Sequence, residues 1–168
     1  VSARPKVCAG QGGRPLLLLR FLIPRDDVLR VQLERTSRRI RIGLRAHCAS
    51  EAVWAVLSDT RLWPKWGPSI THVAVDGTDV VVHKGMRGRV RTVVGWTLPF
   101  AIDDVEPGRS WSWRVAGVKA TGHEVIPDGT QGAWIVFTMP VWALCYAPVC
   151  LWAARKITLL AHARRFQA

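Results

Sequence analysis

The sequence predicts an α+β fold: a curved antiparallel sheet of about six or seven strands, short helices after the first strand, and one long C-terminal helix. Three observations carry this reading. Apolar residues alternate with polar ones in short runs between residues 40 and 139, and Gly, Pro and Asp turns separate the runs. One helical stripe, after residue 49, interrupts the pattern near its start. From Pro140 to Phe166 the alternation gives way to apolar residues at helical spacing.

Residues 1–38 are expected to be a basic, disordered and dispensable extension ahead of a domain spanning 39–168. Gln11-Gly-Gly-Arg-Pro15 is loop chemistry. The apolar run Leu16–Ile23 is broken by Arg20 and ended by Pro24, too short for a bilayer span. Asp26–Arg39 is charged and reads as a frayed helix.

Ile40–Ala46 alternates with Ile40, Ile42 and Leu44 on one face, so it is read as the first strand. A helix follows. Ser50 is positioned to cap it, Glu51 suits its dipole, and Ala52, Val53, Val56 and Leu57 form its stripe. Pro64 should end this helix near Trp63, leaving an aromatic knot of Trp63 and Trp66. Asp59 is read as a local cap for Thr60–Trp63. Thr71–Val75 is the next strand, Asp76-Gly77 its turn, and Asp79–His83 a hairpin arm.

Met86–Val94 shows the clearest period of two. Met86, Gly88, Val90 and Thr92 share one face, and Arg87, Arg89 and Arg91 share a solvated opposite face. Phe100–Val105, Ser110–Val115, Lys119–Ile126 and Ala133–Met139 complete a meander with short turns. Pro148 should kink the C-terminal helix or delay its start. Residues 133–154 carry no charge over 22 positions, the length of a membrane span. Two prolines and the strand-like first third argue instead for a strand followed by a helix packed on its own sheet.

Charge and cysteine usage narrow the function classes. Lys and Arg number 24 against 12 Asp and Glu, a net charge of +12. Residues 1–39 hold nine of the bases and three of the acids, half of the excess, and most of the rest is dispersed. That distribution argues against nucleic-acid binding. The cysteines at 8, 48, 145 and 150 lack zinc or disulfide spacing, so reduced thiols in the cytoplasm are expected, with no metal. There is no Gly-x-Ser-x-Gly elbow, phosphate-binding glycine loop or His-Glu-x-x-His, and no cofactor is expected. Nine Trp exceed what a core of this size needs and suggest a lined cavity or a contact surface.

Ala49-Ser-Glu-Ala-Val-Trp-Ala-Val-Leu-Ser-Asp59 followed by Trp63-Pro-Lys-Trp-Gly-Pro68 resembles the polyketide cyclase/dehydrase branch of the START/Bet v 1-like (SRPBCC) superfamily. Gly85-Met-Arg-Gly-Arg-Val-Arg91, Pro99-Phe-Ala-Ile102, Glu106-Pro-Gly-Arg-Ser-Trp-Ser-Trp113 and Gly122-His-Glu-Val125 follow in the matching order. The resemblance implies a helix-grip fold, in which the C-terminal helix lies across the sheet above a hydrophobic cavity. It also implies a small hydrophobic ligand: polyketide, aromatic or lipid-like. A catalytic set is not recognisable, so cyclase or dehydratase activity would rest on analogy.

The expected lining residues are Trp63, Trp66, Met86, Val90, Trp111, Trp113, His123 and Trp134. Successive strand residues face opposite ways, so only one of His123 and Glu124 can enter the cavity, and the family pattern favours His123. His123 is either an acid/base group or a core histidine with one hydrogen bond. Asp103-Asp104 poses the same choice. A further alternative is a membrane-surface protein anchored by Leu16–Ile23 and the basic N-terminal region. Oligomeric state is not legible in the residues.

Overall fold

The computed structural model describes residues 29–34 and 38–165. Eight antiparallel strands form one sheet, in the order β1-β2-β8-β7-β6-β5-β4-β3. They span Leu29–Glu34 (β1), Arg39–Ala46 (β2), Ile70–Val75 (β3), Arg87–Thr92 (β4), Thr97–Glu106 (β5), Ser110–Val115 (β6), Val118–Pro127 (β7) and Ala133–Pro140 (β8). Helices α1 (Ser50–Ser58) and α2 (Trp63–Trp66) follow β2, and α3 (Ala147–Arg165) closes the chain. This is the helix-grip arrangement, with one strand more than the alternation alone marks out.

The added strand is β1. It falls in the Asp26–Arg39 stretch expected as a frayed helix, and it pairs with β2 from Leu29↔Leu44 to Glu34↔Arg39. Leu29 and Val31 pack against the core. Residues 1–28, including Leu16–Ile23, lie outside the described residues. The expected hairpin arm 79–83 is not a strand: β3 pairs directly with β4, and Val81 makes an isolated bridge to Asp59.

The inner sheet face is built by alternation. Ile40, Ile42 and Leu44 of β2 stand opposite Met139, Phe137 and Ile135 of β8, and all six are buried. Against this face lies α3, which buries Cys150, Ala153, Ala154, Ile157 and Ala161 at i, i+3, i+4, i+7 and i+11. Pro148 sits in its first turn, where a missing N–H costs little, and a 3₁₀ segment, Val141–Tyr146, precedes it. The regular helix is delayed, as expected. The uncharged run 133–154 is thus part strand, part 3₁₀ and part helix. By length and composition alone Val141–Arg164 could still cross a membrane.

Two local expectations are corrected. Ser50 does not cap α1: Ala49 holds that position, and the Ser50 hydroxyl donates to Glu51 instead. Pro64 does not simply end a helix at Trp63. It occupies the first turn of α2, and a break at Asp59 separates the two helices. The carboxylate of Asp59 accepts from the Arg61 backbone N–H, capping Thr60–Leu62. It also binds the guanidinium groups of Arg61 and Arg164, tying this corner to α3. The Arg61 hydrogen bond leads in holding the Asp59 carboxyl below its usual range, against its burial.

Candidate functional site

Trp63 sets the site. Pro64 fixes the short α2 turn that carries it, and the ring is fully buried between helices and sheet. Its indole stacks on Trp111, with centroids 5.0 Å apart and planes 4° apart. Trp111 is the cross-strand partner of His123 in the β6–β7 ladder. Their rings also stack, at 3.8 Å and 16°. Trp66, Trp113 and Phe137 approach the imidazole edge-on, with centroids 5.2–6.2 Å away. The histidine is therefore boxed in by four aromatic rings, and Glu124 points the other way, to Arg41 on the outer face.

This box borders a small, partly open cavity of about 40 Å³ between sheet and α3, lined by Trp66, Trp111, Trp113, His123, Phe137 and Cys150 among others. No charged side chain lines it. A larger, almost wholly apolar antechamber of about 370 Å³ opens beside it, walled by Val90, Thr92, Val115, Met139, Trp142 and Ala143. Ser69, Ile70, Trp113, Thr121 and Tyr146 line both spaces. At that shared wall the Ser69 and Tyr146 hydroxyls are hydrogen-bonded at 2.7 Å.

The polar atoms in this apolar setting are few. Trp63 donates its Nε1–H to the Leu57 carbonyl at 3.3 Å. Trp66, Trp111 and Trp113 do not find an acceptor for theirs among the described residues, and His123 Nδ1 also lacks a partner. All four side chains are more than nine-tenths buried. A buried N–H without an acceptor costs about 1–3 kcal/mol, so the three together are a standing cost that an acceptor reaching them would relieve. Burial pushes the His123 pKa down to about 3, and the Trp111 backbone offsets this only in part. The imidazole is neutral at physiological pH. Its Nε2 lies 3.4 Å from the Thr121 hydroxyl. Burial also pushes the Cys150 thiol up to about 12, leaving it unreactive.

The expected lining residues divide three ways. Trp63, Trp66, Trp111, Trp113 and His123 are brought together at the inner cavity, and Val90 lies in the antechamber wall. Met86 is buried in the core but borders neither space. Trp134 is a correction. On β8 it pairs with Arg45 of β2 and falls on the outer sheet face, where the Arg30 guanidinium covers its ring at 4.0 Å. The alternation along β8 puts Ile135 and Phe137 inside, which forces Trp134 out. Asp103 and Asp104 also stay outside, paired with Arg114 and Lys84.

Sequence reading missed Ser69, Phe137, Met139 and Tyr146. Tyr146 carried a signal, as the one tyrosine of the chain, set in an uncharged run just before Pro148. Among the described residues no cluster of three or more His, Cys, Asp or Glu is placed to hold a metal.

Residues 39–162 match the family model described as polyketide cyclase / dehydrase and lipid transport. Among curated proteins none matches. Solved structures share the fold at low identity. The Zhui aromatase/cyclase of a Streptomyces species superimposes with a TM-score of 0.60 at 13% identity, over 76% of this chain and 94% of that one. A point mutant of norcoclaurine synthase from Thalictrum flavum, bound to a transition-state analogue, gives 0.55 at 14%, over 82% and 98%. A protein of Nitrosomonas europaea gives 0.58 at 14%, over 79% and 99%.

Proposed function

The chain belongs to the polyketide cyclase / dehydrase and lipid transport family, and from that premise we propose that it binds an uncharged, largely apolar small molecule carrying a carbonyl or similar acceptor oxygen. The body of the ligand occupies the antechamber, and the oxygen enters the inner cavity. The observation that carries this reading is the set of three buried indole N–H groups without acceptors around a small cavity. An antechamber of about 370 Å³ lies within the usual range for small-molecule sites. A carboxylate or phosphate head is disfavoured in the inner cavity, because no charged side chain lines it and His123 is neutral, so nothing there replaces the head's hydration; Lys119 is the one charged residue, in the antechamber wall.

Binding is favoured over acid–base catalysis. A general base works best with a pKa near the operating pH, and His123, held near 3, is a weak one. The aromatic box fills most of the interior beside it, leaving little room for a substrate to reach the imidazole directly.

The test is a titration followed by tryptophan fluorescence, using a long-chain methyl ketone, the alkane of equal length and the corresponding carboxylate. The ketone should bind more tightly than either. Equal affinity for ketone and alkane would remove the role of the indole donors, and no response to any of the three would remove the ligand reading itself.

A further inference from the structure

The turns at the antechamber mouth are apolar where turns are ordinarily polar. Surface turns favour Gly, Asn, Asp, Pro and Ser. The β4–β5 turn is Val93-Val94-Gly95-Trp96, and its Val93, Val94 and Trp96 are 62%, 68% and 68% exposed. It sits at the mouth, because the Val93 N–H donates to the Ser69 carbonyl, and Ser69 and Thr92 are wall residues. Past the Ala116-Gly117 turn, β7 opens with exposed Val118, between the wall residues Val115 and Lys119. The 3₁₀ segment adds Val141, Leu144 and Trp142, the last 75% exposed and itself part of the wall. Among the described residues, seven of the ten exposed large apolar side chains thus lie on segments that border one opening.

The charge at this rim has one sign. Segments 69–71, 91–98, 115–121 and 138–148 contain Arg91 and Lys119 and no acid. The Arg38 carbonyl accepts from the Val141 N–H, which brings a third basic residue to the same side. Exposed tryptophans among cations, without carboxylates, are the composition that settles at a lipid headgroup boundary: the indoles enter the interface and the bases meet anionic lipid. A protein partner of matching shape would more often be met by a mixed polar rim.

We infer that this rim is a docking surface for an anionic lipid bilayer, with the β4–β5 and β6–β7 tips and the 3₁₀ segment dipping into the headgroup layer. The antechamber then faces the membrane, and its ligand exchanges with the bilayer without crossing water. That last step rests on the ligand reading above, whereas docking itself does not.

The experiment is sedimentation of the full chain with vesicles of phosphatidylcholine alone and of phosphatidylcholine mixed with phosphatidylglycerol. Wild type, Trp96→Ser/Trp142→Ser, Arg91→Glu/Lys119→Glu and the control Leu159→Ser are compared. Leu159 is 63% exposed but lies far along α3 from the rim. Wild type and the control should bind the anionic vesicles. The tryptophan pair should lose about tenfold or more in partitioning, and the charge pair should lose the preference for anionic lipid. Wild-type binding by both rim variants would place any membrane contact elsewhere, for example on Leu16–Ile23, and overturn the inference. So would failure of wild type to bind either vesicle. A dimer in solution that Trp96→Ser/Trp142→Ser converts to monomer, without vesicle binding, would assign the surface to a second copy instead. The ketone titration in vesicle-free buffer is read separately, so loss of docking and loss of ligand binding are told apart.

Discussion

The imidazole of His123 lies flat on the indole of Trp111, 3.8 Å between centroids, and Trp63 stacks nearly parallel on the same indole at 5.0 Å. One helix turn and two neighbouring strands meet in this column. The ladder between β6 and β7 sets the lower pair, and the Trp63-Pro64 turn sets the top. Its position explains why a titratable ring is kept neutral: water is excluded from the faces that would solvate a charge.

That neutrality has a pH signature. The folded-state pKa of His123 is about 3, below the ordinary 6.5. Above 6.5 the ring is neutral whether the chain is folded or not, and its contribution is fully present. As pH falls below 6.5 the unfolded chain takes up a proton that the folded chain refuses, so stability drops, by about 2 kcal/mol at pH 5 from this residue alone. Urea midpoints at pH 7.5 and pH 5 should show the drop in wild type and much less of it in His123→Phe, which keeps a ring in the stack. Equal slopes in the two proteins would mean that His123 is protonated in the fold.

Removing one unpartnered donor tests the acceptor site. Trp113→Phe deletes an indole N–H at the cavity while keeping an aromatic ring, and affinity for the methyl ketone should fall about fivefold, the worth of one hydrogen bond. Affinity for the alkane should change less. Trp134→Phe, on the outer face, should leave both unchanged. A ketone affinity that follows Trp134 and not Trp113 would put the binding site on the wrong side of the sheet for this reading.

The Ser69–Tyr146 hydrogen bond spans the wall common to cavity and antechamber. Tyr146→Phe removes the hydroxyl and leaves the ring. The expected outcome is faster release of the ketone in stopped flow, by about fivefold for the loss of about 1 kcal/mol, with a smaller change in equilibrium affinity. An unchanged release rate together with lower thermal stability would make the bond a structural brace only.

Much of this was legible in the residues because period and turn chemistry are local. Ile40–Ala46, Ser110–Val115 and Ala133–Met139 announce strands by alternation, and inward His123 followed from the family pattern together with the strict reversal between neighbours. The same reversal, applied to Ile135 and Phe137, puts Trp134 outside, because register and not aromatic character decides which face a strand residue takes. Strand β1 escaped because its charged residues mask a pairing that only a partner strand makes favourable. Tyr146 and Ser69 are 77 positions apart, and no local pattern relates them. The narrowness of the inner cavity was equally hidden, since it depends on how Trp63, Trp111 and Trp113 pack against one another.

Gly88 fixes how closely β3 and β5 approach β4. It pairs with Val75 on one side and Phe100 on the other. A Cβ there would lie 2.2 Å from the Ala74 carbonyl oxygen and 2.7 Å from the Phe100 ring. The oxygen is backbone and cannot swing away. Gly88→Ala should therefore cost about 3 kcal/mol or prevent folding, far more than an ordinary strand substitution. A urea midpoint within error of wild type would show that the β3–β4 pairing is looser than this geometry.

The boundary of the domain can be settled by where the chain is cut. Strand β1 hydrogen-bonds to β2 along its length, buries Leu29 and Val31 in part against the core, and lays Arg30 over Trp134. Gly43 lies beside that contact, where a Cβ would stand 3.3 Å from the Val136 methyl and 3.5 Å from the Trp134 ring. A chain beginning at Leu29 should keep the urea midpoint of the full chain. One beginning at Arg39 loses the burial of two apolar side chains, about 2 kcal/mol or more, and bares Trp134 beside an open strand edge, the setting in which sheets associate edge to edge. It should unfold earlier and aggregate at concentrations the longer chain tolerates. Identical midpoints and clean monomers for both would return β1 to the status of a dispensable extension and place the start of the domain at residue 39.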